Sequence, residues 1–134
     1  MSQENAEAMR RGIERFNRGG NDDAMLDALY DVDAVFYSRA DEPDTGVYVG
    51  REAIRGMMRM WRSMFEEFQF VVDEYVEAGD SLVMPGWISV RARGGSADIR
   101  QPYAWVAKMR EGKVMEVREY RTKEEALEAA GLAQ

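Results

Sequence analysis

The sequence contains no histidine and no cysteine, and both absences limit its chemistry. Without histidine, a serine or cysteine triad that uses imidazole is excluded, and so is a His-ligated zinc or iron site. Acid–base chemistry near neutral pH must therefore come from a carboxyl group with a raised pKa, a tyrosine or a lysine. Without cysteine a disulfide scaffold is excluded, which leaves the compartment open, and we expect the cytoplasm.

Long apolar runs and a concentrated basic surface are also missing. The longest apolar runs cover only a few residues, whereas a membrane span needs roughly 20, and residues 1–5 lack the basic-then-apolar order of a secretory signal. Lysine and arginine number 18 against 25 aspartate and glutamate residues, which gives a net charge of −7. Because nucleic-acid binding needs concentrated positive charge, we expect neither nucleic acid nor membrane as a partner. No spaced aspartate loop of the calcium type occurs, so no metal is expected.

The residues that are present predict one domain over residues 1–134. A chain of 134 residues with 46% hydrophobic content suits a single domain with one core. Helical spacing of apolar residues predicts a first helix at 4–18 and a short second helix after Asn21. A strand is predicted at 34–39. An acidic, turn-rich loop at 41–46 follows it.

The longest helix is predicted to begin after Gly50 and to continue as far as Phe68. Large apolar side chains recur there at spacings of three and four, at Ile54, Met57, Met58, Trp61, Met64, Phe65 and Phe68. So many large groups on one stripe indicate that the helix covers a sheet or a cavity. Methionine suits a surface that adapts to a guest molecule, although it is also ordinary core filler.

Strand-like segments then occupy 68–78, 82–93, 97–109 and 114–120. In the first of these, alternation predicts Phe70 and Val76 on one face and Tyr75 on the other. Pro85–Gly86 interrupts the second and predicts a bulge or a bend, since proline cannot donate a ladder hydrogen bond. Antiparallel hairpins that follow leading helices indicate an α+β layer fold.

The end of the chain predicts a hairpin turn, a strand and a short closing helix. Glu111–Gly112 is a pair that allows positive φ in a tight turn. Alternation divides the strand into two faces, Val114, Glu116, Arg118 and Tyr120 on one and Met115, Val117 and Glu119 on the other. Thr122 and Glu125 fit a capping box, and Gly131 lies where a helix would end.

This order of elements resembles the nuclear-transport-factor-2-like superfamily over essentially the whole chain. The Gly50–Arg55 stretch before the long helix and the Gly112–Leu132 end carry the likeness. More narrowly the chain resembles the SnoaL-like branch, which includes ketosteroid isomerase, limonene epoxide hydrolase and polyketide cyclases. The resemblance implies a curved, cone-shaped sheet wrapped by about three helices, plus a short C-terminal helix, around an apolar pocket. It also implies a homodimer and no cofactor.

Only some of the catalytic residues of these relatives have a counterpart in this sequence. Arg118-Glu119-Tyr120 matches the last-strand motif of the epoxide hydrolase, with Glu in place of Asp, but Trp87 and Ser89 stand where that enzyme has an arginine and an aspartate. The first helix has Phe16 where ketosteroid isomerase has a tyrosine. Asp41 occupies about the position of its base. The polyketide cyclases use a histidine, which this chain lacks.

Two carboxyl groups are candidates for catalysis, Glu119 and Asp41. If Glu119 projects into an apolar cavity, burial raises its pKa and makes it a usable acid or base near pH 7. The alternative is an ion pair with a nearby arginine, which lowers the pKa. The alternative for Asp41 is that it is an ordinary solvated carboxylate in a turn.

The candidate substrate-binding residues are mostly aromatic or apolar: Tyr37, Trp61, Trp87, Tyr103, Trp105, Met115, Val117 and Arg118. For the aromatic residues, the alternative is a place in the core or on a dimer surface. Two functions therefore remain open. One is a cofactor-free isomerase, hydrolase or cyclase that acts on an apolar small molecule, and the other is a non-catalytic module for ligand binding or dimerisation.

Overall fold

The computed structural model describes residues 2–19, 22–39 and 46–132. These ranges contain four helices, α1 (Ser2–Arg18), α2 (Asp22–Leu29), α3 (Arg51–Met64) and α4 (Lys123–Ala129). They also contain seven strands, β1 (Tyr30–Tyr37), β2 (Val47–Val49), β3 (Phe65–Val72), β4 (Val76–Ala78), β5 (Ser81–Ala92), β6 (Ile99–Arg110) and β7 (Lys113–Tyr120). The predicted α+β class is confirmed.

The strands form one curved, mixed sheet that does not close on itself. Their order is β2-β1-β7-β6-β5-β3, and β4 pairs with β5 beside β3. β1 runs parallel to β7, and the other neighbours are antiparallel. The main core fills the concave side of the sheet, where α1, α2 and α3 pack. A smaller apolar cluster lies under α4 on the opposite face of the sheet, and it contains Val83, Ala104 and Val106.

Two asparagines hold α1 across the concave face. The side chain of Asn17 donates to the carbonyl of Phe70 at 2.7 Å and accepts from its N–H at 2.9 Å, so it satisfies the backbone of the edge strand β3. At the other end of the helix, the buried Asn5 accepts from the N–H of Gly112 at 2.7 Å. Both ends of α1 are therefore tied to the sheet by polar contacts between residues far apart in sequence.

The long helix ends at Met64, so its predicted extent to Phe68 is wrong. Phe65 already has extended backbone angles and begins β3. The pairing of β3 with β5 shifts register between Phe65 and Glu67. This irregularity keeps Phe65 and Phe68 in the same core at a spacing of three, which imitates a helical pattern.

The segment 68–78 forms two strands instead of the predicted one. The chain leaves the sheet at 73–75 and rejoins it as β4. Tyr75 then packs against the main core with Phe70, and Val76 packs under α4, which reverses the predicted faces. The change of strand coincides with Pro85 of β5, because β4 pairs with 81–83 and β3 with 86–92.

Pro85–Gly86 does not form a bulge, since the pairing of β5 with β6 runs through both residues without a shift. Gly86 instead allows a close backbone approach. A Cβ atom at position 86 would lie 1.9 Å from the carbonyl oxygen of Val71. This distance is too short for any residue other than glycine. The requirement for glycine therefore comes from the neighbouring strand rather than from a turn.

The turn and cap predictions at the end of the chain are confirmed. Glu111 and Gly112 have φ angles of 51° and 78°, as a tight hairpin turn with two positive angles requires. The side chain of Thr122 accepts from the N–H of Glu125 at 3.1 Å. Gly131 has φ 80° just past the helix, where the N–H of Leu132 bonds to the carbonyl of Leu127.

The predicted faces of β7 are wrong at its beginning. Met109 pairs with Val114 and Lys108 with Glu116, so Met115 is an extra residue in this strand. As a result Val114 and Val117 are buried in the same core instead of lying on opposite faces. Beyond the extra residue, alternation brings Glu119 to the concave side with Val117.

Candidate functional site

A cavity of about 200 Å³ lies between α3 and the concave face of the sheet. Its apolar lining is Met57, Met60, Trp61, Met64, Phe65, Phe68, Ile88 and Val90. Its polar lining is Ser38, Tyr48, Gln101, Tyr103 and Glu119. The helical stripe on α3 was predicted to cover a sheet or a cavity, and Met57, Trp61 and Met64 of that stripe lie in the lining together with Met60.

An aromatic cluster forms the floor under α3. Trp61 stacks on Phe68 with ring centroids 4.8 Å apart and an angle of 14° between the planes. Phe16 and Phe36 meet Trp61 edge-on from α1 and β1. Such contacts hold Trp61 in one orientation, so this part of the cavity wall is rigid.

Glu119 is the buried carboxylate of the cavity, with 9% of its surface exposed. It pairs across the sheet with Trp105, and its Oε2 accepts a hydrogen bond from the indole Nε1 at 3.1 Å. Its Oε1 accepts from the backbone N–H of Arg39 at 3.3 Å. Two donors from β6 and from the end of β1 therefore fix the position of the carboxylate.

Arg39 is a functional candidate that sequence reasoning missed. It is 8% exposed, and its guanidinium donates to the carbonyl of Pro102 at 3.2 Å. The guanidinium also lies 4.4 Å from the ring centroid of Tyr103, which in turn stacks on Trp105 at 5.6 Å. One positive and one negative group are thus buried together around two stacked rings. The only signal in the sequence was a charged residue at the end of the predicted strand 34–39.

Tyr30 lies close enough to Glu119 to be affected by its charge. Burial raises the pKa of the Tyr30 hydroxyl far above its ordinary value, and the negative charge of Glu119 acts in the same direction. Tyr30 therefore stays neutral throughout the physiological range. It lines a second hollow of about 50 Å³ together with Trp105, Val117 and Phe36.

The structure separates the sequence-predicted residues into groups. Glu119, Trp61 and Tyr103 line the cavity. Trp105 and Val117 lie behind it and line the smaller hollow. Met115 is the half-buried extra residue of β7.

Other predicted residues lie outside the cavity lining. Tyr37 and Arg118 border a hollow on the other side of Glu119, where the guanidinium of Arg118 lies 3.7 Å from the Tyr37 ring and pairs with Glu116 at 2.9 Å. This hydrogen bond raises the pKa of Arg118. Trp87 is 38% exposed near Arg100. Asp41 lies outside the described residues, and substrate contact by all of these residues stays a prediction.

Within residues 2–19, 22–39 and 46–132, no group of three or more acidic side chains is arranged to hold a metal ion. In the same ranges, no helix is both long and apolar enough to cross a membrane.

Comparison with known proteins identifies the fold. The profile of the SnoaL-like domain family matches residues 9–117. Among curated protein sequences, none matches the chain significantly. The solved structures described next are less than 25% identical to the chain, so the likeness to them concerns the fold alone.

Three solved structures illustrate this likeness. A hypothetical protein of ketosteroid isomerase-like fold from Catenulispora acidiphila, in complex with trimethylamine, is 19% identical with a TM-score of 0.74, over 94% of this chain and 93% of that one. Bal32a, from a soil-derived mobile gene cassette, is 24% identical with a TM-score of 0.76 over 88% of each chain. TerC, co-crystallised with polyporic acid, is 17% identical with a TM-score of 0.75, over 96% and 98%.

Proposed function

Because the chain belongs to the SnoaL-like domain family, we propose that it binds an apolar small molecule in the α3 cavity and acts on it without a cofactor. Glu119 is the acid–base group in this proposal. The observation that supports it best is a buried carboxylate in the wall of an otherwise largely apolar cavity. Isomerisation, hydrolysis and cyclisation all need such a proton-transferring group.

The contacts of Glu119 suit a group that moves a proton. Trp105 and the backbone of Arg39 hold its two oxygens, so the carboxylate does not need to reorganise during the reaction. In the simplest step, Glu119 takes a proton from a carbon next to a carbonyl group of the guest. The electron pair of the broken C–H bond moves toward the carbonyl oxygen, for which Tyr103 and Gln101 lie in the cavity wall as hydrogen-bond donors. Return of the proton to carbon completes the cycle.

The solved relatives support the binding part of the proposal. One was crystallised with trimethylamine and another with polyporic acid, and both are small molecules. The same fold therefore accommodates small guests in other proteins.

Proton exchange on a two-ring ketone tests the catalytic part. 2-Tetralone carries acidic protons next to its carbonyl, and their replacement by deuterium in D₂O is followed by NMR. We expect the protein to accelerate this exchange and Glu119→Gln to lower the acceleration by about 10²- to 10⁴-fold. Glu116→Gln is the matched control, because Glu116 lies on the same strand but pairs with Arg118 outside the cavity. Equal rates for Glu119→Gln and wild type remove Glu119 from the proposal.

A non-catalytic ligand-binding module is the second candidate. It is favoured by the absence of histidine and by Phe16, Trp87 and Ser89 at positions where related enzymes have catalytic residues. This candidate expects 2-tetralone to bind without any accelerated exchange. It also expects binding to survive replacement of both carboxyl groups, in the double variant Glu119→Gln, Asp41→Asn.

We further propose that the protein acts as a cytoplasmic homodimer, as the family resemblance implies, and that Asp41 is a second acid–base group. Sedimentation at micromolar concentration is expected to give about 31 kDa, twice the 15.3 kDa of the chain. A 15 kDa species contradicts the dimer. Asp41→Asn is expected to slow 2-tetralone exchange, and an unchanged rate removes Asp41.

A further inference from the structure

We propose that the natural guest is a compound of one or two rings that carries a hydroxyl or carbonyl group and no negative charge. Its rings pack between α3 and β3, and its polar group faces Glu119 and Tyr103. This inference rests on the proposed function, because it assigns the substrate class of the same cavity.

The volume of the cavity limits the number of rings in the guest. A buried apolar cavity of about 150 Å³ accepts benzene, whereas pockets for drug-sized ligands span about 300–1,000 Å³. The cavity measures about 200 Å³. It therefore encloses one ring, or two fused rings when the methionine side chains shift, and it is too small to enclose four fused rings.

The two walls of the cavity differ in polarity, and this difference orients the guest. Toward α3, β3 and β5 the wall is hydrocarbon, with Trp61 and Phe68 stacked as a flat surface. Toward β6 and β7 it presents Tyr103, Gln101 and Glu119. An apolar ring meets the first wall, and one polar group on that ring meets the second.

The absence of a negative charge on the guest follows from Glu119. Glu119 is 9% exposed and lies in the cavity lining, whereas the guanidinium of Arg39 lies against the Tyr103 ring outside that lining. A carboxylate guest would lose its hydration and would be repelled by Glu119, which is costly in a buried site.

The adaptable part of the wall is the methionine side of α3. Met57 is buried, whereas Met60 and Met64 are 39% and 48% exposed at the edge of the cavity. Methionine is unbranched and flexible, so these residues can adjust to one or two rings while the aromatic floor stays in place.

Binding of two matched compounds tests the charge. Benzyl alcohol and benzoate have nearly the same size, and they are neutral and negative at pH 7. We expect benzyl alcohol to bind at least tenfold more tightly than benzoate by calorimetry. Equal or tighter binding of benzoate overturns the exclusion of a negative charge.

Two larger compounds test the size. 2-Naphthol is expected to bind more tightly than benzyl alcohol because it buries more apolar area, and the four-ring steroid oestradiol is expected to bind at least tenfold more weakly than 2-naphthol. Oestradiol binding as tight as that of 2-naphthol overturns the ring limit but leaves the proposed function intact. No binding of any of the four compounds overturns both.

Cavity-filling variants show whether the guest occupies this site. Val90→Phe adds volume inside the lining and is expected to weaken 2-naphthol binding at least tenfold, while Val32→Phe, at an exposed position outside the lining, leaves it unchanged. If Val90→Phe does not fold, Met64→Trp makes the same test from an exposed position. Unchanged binding in the folded cavity variant contradicts the assignment.

Discussion

The hydrogen bond between Trp105 and Glu119 gives a prediction whose size follows from the structure. The Trp105→Phe variant keeps an aromatic ring against Tyr103 and removes the indole donor 3.1 Å from Oε2 of Glu119. A hydrogen bond to a charged group contributes about 1.5–3 kcal/mol to stability. Since Glu119 is buried, water does not readily replace the lost donor.

We therefore expect Trp105→Phe to lower the free energy of unfolding by about 2–3 kcal/mol, which corresponds to a Tm decrease of roughly 8–12 °C for a domain of this length. Urea denaturation measured by circular dichroism gives the free energy directly. Trp87→Phe is the matched control, because Trp87 is 38% exposed and lies outside the cavity lining that contains Glu119. Its expected change is within about 0.5 kcal/mol.

A double-mutant cycle separates the hydrogen bond from the change in ring size. Glu119→Gln removes the charge of the acceptor, and its combination with Trp105→Phe is expected to show a coupling energy of about 1 kcal/mol or more. Residues that act independently give additive changes within about 0.3–0.5 kcal/mol. Additivity in this cycle refutes the claim that Trp105 holds the carboxylate.

Two further predictions concern stability away from the cavity. Gly86→Ala is expected to cost more than about 3 kcal/mol, or to prevent folding, because the new Cβ would lie 1.9 Å from the carbonyl oxygen of Val71; thermal unfolding measures this cost. Arg55→Leu is expected to lower stability at pH 7 and much less below pH 3. The hydrogen bonds from Arg55 lower the pKa values of Asp27 and Glu52, so the stabilisation is present above their ordinary values near 4 and disappears as the pH falls through the lowered values.

Gly86→Ala has a matched control in α3, and both predictions have a result that would contradict them. Gly56 lies inside α3, and a Cβ added there would meet no atom of another element within 4 Å, so Gly56→Ala is expected to stabilise the protein by about 0.5–1 kcal/mol. A Gly86→Ala variant as stable as wild type contradicts the close approach of β3 and β5. For Arg55→Leu, a stability difference from wild type that stays constant between pH 7 and pH 3 contradicts the role of the carboxylates.

The parts of the fold that depend on neighbouring residues could be predicted from the sequence. The turn at 111–112 and the cap at Thr122 were correct because their chemistry is local. The helical stripe of α3 was correct up to Met64. Its end was missed because a register irregularity in the next strand placed Phe65 and Phe68 at a helical spacing.

The parts of the site that depend on pairing between distant strands could not be predicted. Glu119 was identified as a candidate, but its partners come from β6 and from the end of β1, 14 and 80 residues away in the sequence. The extra residue at Met115 also changed which residues share a face. Alternation along one strand contains no information about either feature, since both are set by the register of the sheet.

The most direct test of the central claim is a crystal structure of the protein with 2-naphthol. We expect the rings to lie against Trp61 and Phe68, with the hydroxyl oxygen about 2.7 Å from a carboxylate oxygen of Glu119. A guest bound elsewhere, or a cavity closed by its own side chains with Glu119 turned to solvent, contradicts the account.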